Sequence, residues 1–233
     1  MLFLPIGKDV MLTNKTDDIR KEFVQMLANE EFVIDKSGVK LLEIRGANFV
    51  ADEWTIFGEY NEEYLKREIA WYDSQSLNVN DIPGGPPTIW KQVASTGGRI
   101  NSNYGWCIYS QENWRQYDNV LQELIKQPTS RRASMIYTRP RMWHDYKVQG
   151  MNDFMCTNAV QYAIRDNYIH AYVQMRSNDA VFGYKNDVIW QWEVLTRLKD
   201  DLVESGMTDL QSGGVIWNAS SLHVYERHFH LVV

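Results

Sequence analysis

The chain has 233 residues, 44% of them hydrophobic, 23% charged and 13% aromatic, with a formal charge of −6. This suits a single globular domain spanning 1–233, and the negative balance argues against nonspecific attraction to polynucleotide phosphates while leaving room for a small anion held by local cations. Two cysteines, Cys107 and Cys156, stand far apart with no CxxC and no Cys/His ligand spacing, which argues for a reduced, cytoplasmic protein without structural zinc.

At the N-terminus, "MLFLPIG" is too short for a signal h-region, and no run approaches the roughly 18 apolar residues of a membrane span. The spacing of Ile19, Phe23, Met26 and Leu27 predicts an amphipathic helix over 17–29 with Thr16 as N-cap. "GVKLLEIRGANFVAD" reads as β, alternating through Val39, Leu41 and Phe49. A helix is expected from Glu62 to Tyr72, with "NDIPGGPP" as the break after it. Residues 112–126 read as a second helix, with Trp114, Tyr117, Leu121, Leu124 and Ile125 inward and Pro128 as the stop. "AVQYAIRDNYIHAYVQM" reads as two strands around a turn at Arg165-Asp166-Asn167. The longest helix is expected from Val188 to Glu204, with Ile189, Trp192, Leu195, Leu198 and Leu202 inward and Gly206 ending it. A last β run covers Gly214 to Asn218. The order lacks regular βαβ alternation, so the expected class is α+β.

Several groups have two readings from local pattern. Cys156, in "MNDFMCTNAV", is either an apolar filler or a nucleophile, and a nucleophile needs nearby cations and partial access. Cys107 has aromatic neighbours and reads as core. Arg131 and Arg132, in "SRR", form either a charged loop or an anion clamp, since guanidinium forks match phosphate oxygens. Arg176-Ser177 is a second candidate phosphate grip. His228 and His230 would share a strand face, which mimics a metal pair but lacks a third ligand. His223 and Tyr225 are placed at i, i+2 to hydrogen-bond a sugar hydroxyl. "STGGR" at 95–99 lacks the ending of a P-loop and reads as a turn. Glu68, inside an amphipathic helix, reads locally as a surface carboxylate.

Eight segments in order resemble the thymidylate synthase family: "DKSGV" (35–39), "REIAWY" (67–72), "TIW" (88–90), "NYG" (103–105), "SRR" (130–132), the Cys156 segment, "RSNDAVFG" (176–183) and "HVY" (223–225). Within it the chain resembles the phage branch, the deoxycytidylate (dCMP) 5-hydroxymethylases. Thr157 stands where synthases have His, Val93 where they have a second Trp, and Asp187 where they have Asn. These departures point away from methyl transfer to uracil.

The resemblance implies a single-domain fold with a mixed β-sheet, packed helices and one sheet face forming a dimer interface. It implies that Cys156 adds to C6 of the pyrimidine, that Glu68 is general acid–base through ordered water, and that Tyr104 supports the site. Trp90, Asp179 and Gly183 would receive 5,10-methylenetetrahydrofolate, with no metal. Arg176, Ser177 and Asn178 would contact the nucleotide, with Arg176 and Ser177 on its phosphate, and His223 and Tyr225 would contact the deoxyribose. Arg131 and Arg132 would complete the partner subunit's phosphate site in a homodimer. Lys36 stands where synthases carry a mobile arginine. Asp187 would select cytosine: a carboxylate accepts from N4 and favours a proton at N3, but sets lone pair against lone pair at uracil O4. The implied partners are dCMP, folate, a second copy and a phage nucleotide-synthesis complex in the host cytoplasm, with no membrane. Competing readings are a dUMP-directed relative and a catalytically silent nucleotide-binding scaffold or RNA-binding regulator. The catalytic groups present speak against silence and the charge speaks against RNA. The chain stops at Val233, where family members continue into a tail over bound folate.

Overall fold

A computed structural model describes residues 14–233, so the N-terminal "MLFLPIG" lies outside the described residues. Helix α1 (Thr16–Ala28) buries Ile19 and Phe23 on one face. Its cap departs from expectation, because Lys15 is the N-cap and Thr16 opens the helix. Asp18 accepts the Lys15 backbone N–H at 2.9 Å, and Asp52 takes the Thr16 N–H at 3.1 Å. Strands β1 (Val33–Ile34) and β2 (Lys40–Val50) follow, with Lys36 exposed in the turn between them. Val39 is exposed and Leu41 and Leu42 are both buried, so the alternation expected there starts only within β2.

Helix α2 (Glu62–Asp73) starts where Asn61 accepts the Tyr64 N–H at 2.9 Å. After the Pro-Gly break, Arg67 of α2 donates to the Pro83 and Gly85 carbonyls, which ties α3 (Thr88–Val93) to α2. Helix α4 (Tyr104–Tyr109) crosses α2 so closely that a Cβ on Gly105 would lie 1.9 Å from the Tyr72 carbonyl oxygen. Only glycine fits there. The expected helix over 112–126 is shorter. It is α5 (Gln116–Lys126), preceded by Trp114 and Arg115 with φ of 62° and 47°. Trp114 is 83% exposed, not inward, because the left-handed pair turns it out of the helical stripe.

Strand β3 (Ser134–Ile136) and short helix α6 (Met142–Asp145) lead to the hairpin β4 (Thr157–Arg165) and β5 (Tyr168–Met175). Asp166 and Asn167 both take positive φ at its turn, as two-residue hairpins require. A two-residue strand, β6 (Asn178–Asp179), precedes helix α7 (Gly183–Glu204), which begins five residues before the expected start. Asp179 makes the early start possible by accepting the Val181 and Phe182 amides at 2.8 and 3.1 Å. Gly206, with φ of 115°, follows its end. Strand β7 runs from Gln211 to Tyr225, far beyond the expected 214–218, and a 3-10 helix over Glu226–Leu231 takes His228 and His230 off any strand face.

The sheet order is β1-β2-β7-β5-β4-β3, with β6 also pairing β7. The β5–β7 and β6–β7 pairs are parallel and the others antiparallel. This mixed sheet with packed helices is the α+β class expected. One face lies under α1, α5 and α7, with α2 packed behind them against α4, around a core including Phe23, Phe49, Trp71, Tyr184, Trp190 and Trp217. The other face carries Asn48, Asn158, Tyr172, Gln174, Asn218 and Ser220 in a polar groove, with no helix across it among the described residues. Among the described residues no helix is long and apolar enough to cross a membrane, and no group of three or more His, Cys, Asp or Glu is placed to hold a metal.

Candidate active site

The loop before β4 delivers Cys156 half-buried to the end of the sheet, while Cys107 is fully buried in α4. The Arg176 backbone N–H donates to the Cys156 carbonyl at 2.9 Å. The Arg176 side chain donates to the Met155 and Phe154 carbonyls at 2.8 and 2.7 Å and reaches Cys156 Sγ at 3.7 Å. One guanidinium thus fixes the cysteine loop and sets a positive charge beside its sulfur. Burial still pushes the Cys156 thiol up to about 12, with Arg176 opposing and Asp187 and Asp153 reinforcing the rise. Cys107 is also pushed up by burial to about 12. Asp153, three residues before Cys156, accepts the Asn101 and Ser102 amides and the Ser102 hydroxyl at 2.6 to 2.8 Å, which pins the same loop to the start of α4.

Asp187 lies in the first turns of α7. Its Oδ2 accepts from Asn178 Nδ2 at 2.8 Å, and the Tyr104 phenol lies beside its carboxylate. Thr157 donates to Tyr104 Oη at 3.0 Å, so the residue after Cys156 holds the phenol that lies beside Asp187. Burial raises the Asp187 carboxyl to about 7, the neighbouring Tyr104 and Asn178 oppose the rise, and the charge of Glu68 adds to it. A Cβ on Gly183 would approach Asn178 Nδ2 to 3.2 Å and Asp187 Oδ2 to 3.6 Å, so the bare backbone covers this pair closely.

Glu68 is 3% exposed, which corrects the surface reading its helix suggests. Its Oε1 accepts from Tyr64 Oη at 2.6 Å and from Trp90 Nε1 at 3.2 Å, and the Tyr72 side chain lies close by. Burial lifts its carboxyl to about 7, against the pull of these donors. Tyr72 stacks on Tyr104 at 5.3 Å, and Trp71 meets Trp90 edge-on at 5.4 Å, so α2, α3 and α4 hold the site as one aromatic block. Asp179 spends Oδ1 on the Val181 and Phe182 amides just ahead of α7, and its Oδ2 accepts no hydrogen bond among the described residues. His223 and Tyr225 end β7 in edge contact at 4.9 Å, and burial lowers the His223 imidazole. The charges of Asp179 and Cys156 also bear on Tyr225.

Cys156, Arg176, Asn178, Asp187, Tyr104, Glu68 and Trp90 are therefore linked by contacts or mutual charge, with Asp179, His223 and Tyr225 alongside. Ser177 neighbours Arg176 in sequence and is half-buried. Arg131 and Arg132 stand apart. They are exposed, and their side chains join no hydrogen bond or ion pair among the described residues. The Arg131 carbonyl accepts from Gln161, five residues along β4 from Cys156, a separation of about 17 Å at ~3.3 Å per strand residue. Tyr64 is a site residue that sequence reasoning missed. Its only signal is the i, i+4 relation to Glu68.

A model of the thymidylate synthase family matches residues 60–233, which hold every one of these site groups. The deoxycytidylate 5-hydroxymethyltransferase of Enterobacteria phage T4 is 57% identical over 217 residues, covering 93% of this chain and 88% of that protein. The phage T2 protein of the same name matches to the same extent. The thymidylate synthase of Fusobacterium nucleatum is 30% identical over 167 residues, covering 70% of this chain and 56% of that enzyme. With the mixed sheet, the half-buried cysteine beside an arginine, and the buried glutamate in the matched region, the chain belongs to the thymidylate synthase family.

Proposed function

We propose that the protein transfers a one-carbon unit from 5,10-methylenetetrahydrofolate to C5 of dCMP with addition of water, giving 5-hydroxymethyl-dCMP and tetrahydrofolate. The observation that carries this reading is Asp187, a half-buried carboxylate whose charge bears on the Cys156 sulfur and whose Oδ2 is held from behind by Asn178. With Oδ2 occupied by Asn178, the other oxygen is available to cytosine N4, whose amino hydrogens need an acceptor. Uracil would present O4 to that oxygen, acceptor against acceptor.

Cys156 forms the S–C6 bond, and the Arg176 guanidinium beside Sγ stabilises the thiolate against the pressure of burial. Addition at C6 makes C5 a carbon nucleophile. Glu68, with a carboxyl near the working pH, exchanges protons at the base through ordered water. The folate supplies the one-carbon unit at the oxidation level of formaldehyde. Three features support its seat: the Trp90 indole beside Glu68, the spare Asp179 oxygen, and exposed apolar side chains at Ile89 and Phe182. Arg176 and Ser177 hold the 5′-phosphate, and His223 and Tyr225 hold the deoxyribose. Lys36 joins from the β1–β2 turn as a point charge.

The distance of Arg131 and Arg132 from their own Cys156, together with the uncovered polar sheet face, supports a homodimer in which these arginines complete the partner's phosphate site. Residues 1–233 then act as one catalytic domain, in the cytoplasm of a phage host and in company with other nucleotide-forming enzymes. The test is incubation with dCMP and methylenetetrahydrofolate, with mass analysis of the nucleotide and absorbance of the folate. One added CH2O unit with no dihydrofolate is expected. Stoichiometric dihydrofolate, or turnover of dUMP in preference to dCMP, would overturn the reading.

A further inference from the structure

We propose that Tyr64 is a positioning residue for this reaction: its phenol fixes Oε1 of Glu68, so that proton exchange with the substrate runs through Oε2, and it links Glu68 to the indole of Trp90. The inference rests on the roles of Glu68 and Trp90 proposed above. Tyr64 Oη donates to Glu68 Oε1 at 2.6 Å and accepts from Trp90 Nε1 at 3.0 Å, while the same indole N–H reaches Oε1 at 3.2 Å. An indole N–H can only donate, so the single phenol proton is committed to the carboxylate. At 2.6 Å this bond has the length of an O–H donor on a charged acceptor.

Packing does not account for the placement. Tyr64 is half-buried and lies outside the core cluster and the side chains packed on it. Its backbone N–H is tied to Asn61 at 2.9 Å, and the Arg67 guanidinium sits 5.9 Å over its ring. The ring is therefore fixed from its own helix while its hydroxyl points across to α3. A ligand seated on Trp90 steadies the indole, and the phenol carries that order to Glu68.

The groups facing Glu68 are Tyr64 and Tyr72 from α2, Trp90 from α3 and the Asp187 carboxylate from α7. Removing one donor from this set destabilises the ionised carboxylate, so its titration moves upward. Tyr64→Phe keeps the ring and removes only the proton. The acid limb of kcat for hydroxymethyl-dCMP should move up by about one pH unit. At neutral pH kcat should fall about tenfold while KM for dCMP stays within about twofold. Placing 3-fluorotyrosine at position 64 strengthens the donor without changing the fold and should move the limb the opposite way. Profiles that superimpose on wild type in both variants overturn the inference, as does a limb that moves the same way in both. If the wild-type protein makes no hydroxymethyl-dCMP, the functional reading fails on its own. Tyr64 is then judged from the Glu68 carboxyl stretch, identified as the infrared band lost in Glu68→Gln. Its titration must still move in opposite directions in the two variants.

Discussion

Replacing Asp187 by Asn changes one oxygen into an amino group and almost nothing else. The surroundings decide how the new amide turns. Asn178 Nδ2 lies 2.8 Å from the present Oδ2. An amide nitrogen is a donor, so the new amide's oxygen must face Asn178 and its NH2 must face the base. Cytosine N4 then meets a donor with a donor, while uracil O4 gains a donor it lacked. Taking about 1.4 kcal/mol for each mismatched or regained hydrogen bond, the dCMP to dUMP preference should swing by about 100-fold. The assay is tritium release from C5-labelled nucleotides, run as a competition between dCMP and dUMP so that a general loss of activity cancels. Product formation from dUMP should recover less than proton exchange, because placement of the added water depends on other residues. A preference unchanged within a factor of three would refute the reasoning, since the base would then be read elsewhere.

The raised carboxyl of Glu68 has a consequence for stability. Between about pH 4.5 and 7 the folded protein holds a proton that the unfolded chain has lost, so this group's contribution falls as pH rises through that window and is flat above it. Glu68→Gln should therefore be more stable than wild type at pH 8, by up to about 3 kcal/mol, and equal to it near pH 4.5 in urea midpoints at one protein concentration; a gain independent of pH counts against the assignment. Cys156→Ser should abolish tritium release, whereas Cys107→Ser should lower the melting temperature with turnover kept, and equal loss of turnover in both would remove Cys156 from its role. Mixing an Arg131→Ala, Arg132→Ala variant with Cys156→Ser under subunit exchange should restore activity, because one site of the mixed dimer keeps all its parts. No recovery with mixed dimers present by mass would end the shared-site reading.

The β4–β5 hairpin is legible because Asp166-Asn167 combines a turn signal with alternating flanks, and α2 because its apolar positions recur at helical spacing. Strand β7 is not. Gly213 to Trp217 are buried without interruption, so no period of two exists to detect, and adjacent glycines read as a turn. The first turn of α7 is equally hidden, since Gly183 and Asn186 are weak helix formers and the start depends on the carboxylate of Asp179. That matters for the site, because Asp187 opens the turn that follows. The identity of the site residues is carried by the eight ordered segments, whereas their chemistry is not. Nothing local marks Glu68 as buried or Thr157 as the donor behind Tyr104, and Tyr64 has only its i, i+4 relation to Glu68. These properties come from the crossing of α2 and α4 at Gly105, a contact distant in sequence.

The parallel pairing of β5 with β7 couples occupancy of the site to survival of the whole fold. Parallel neighbours require a crossover, here the 35 residues between Met175 and Gln211, and Arg176, Asn178, Asp179, Gly183 and Asp187 all lie on it. A chain that has formed only the β4–β5 hairpin has no nucleotide site, because His223 and Tyr225 arrive with the far end of β7. A nucleotide at 100 times its Kd should therefore stabilise against global unfolding by about 2.7 kcal/mol, with little effect on partly folded forms. Proteolytic lifetime should lengthen in step, so the substrate pool would set how long the catalyst lasts as well as how fast it turns over.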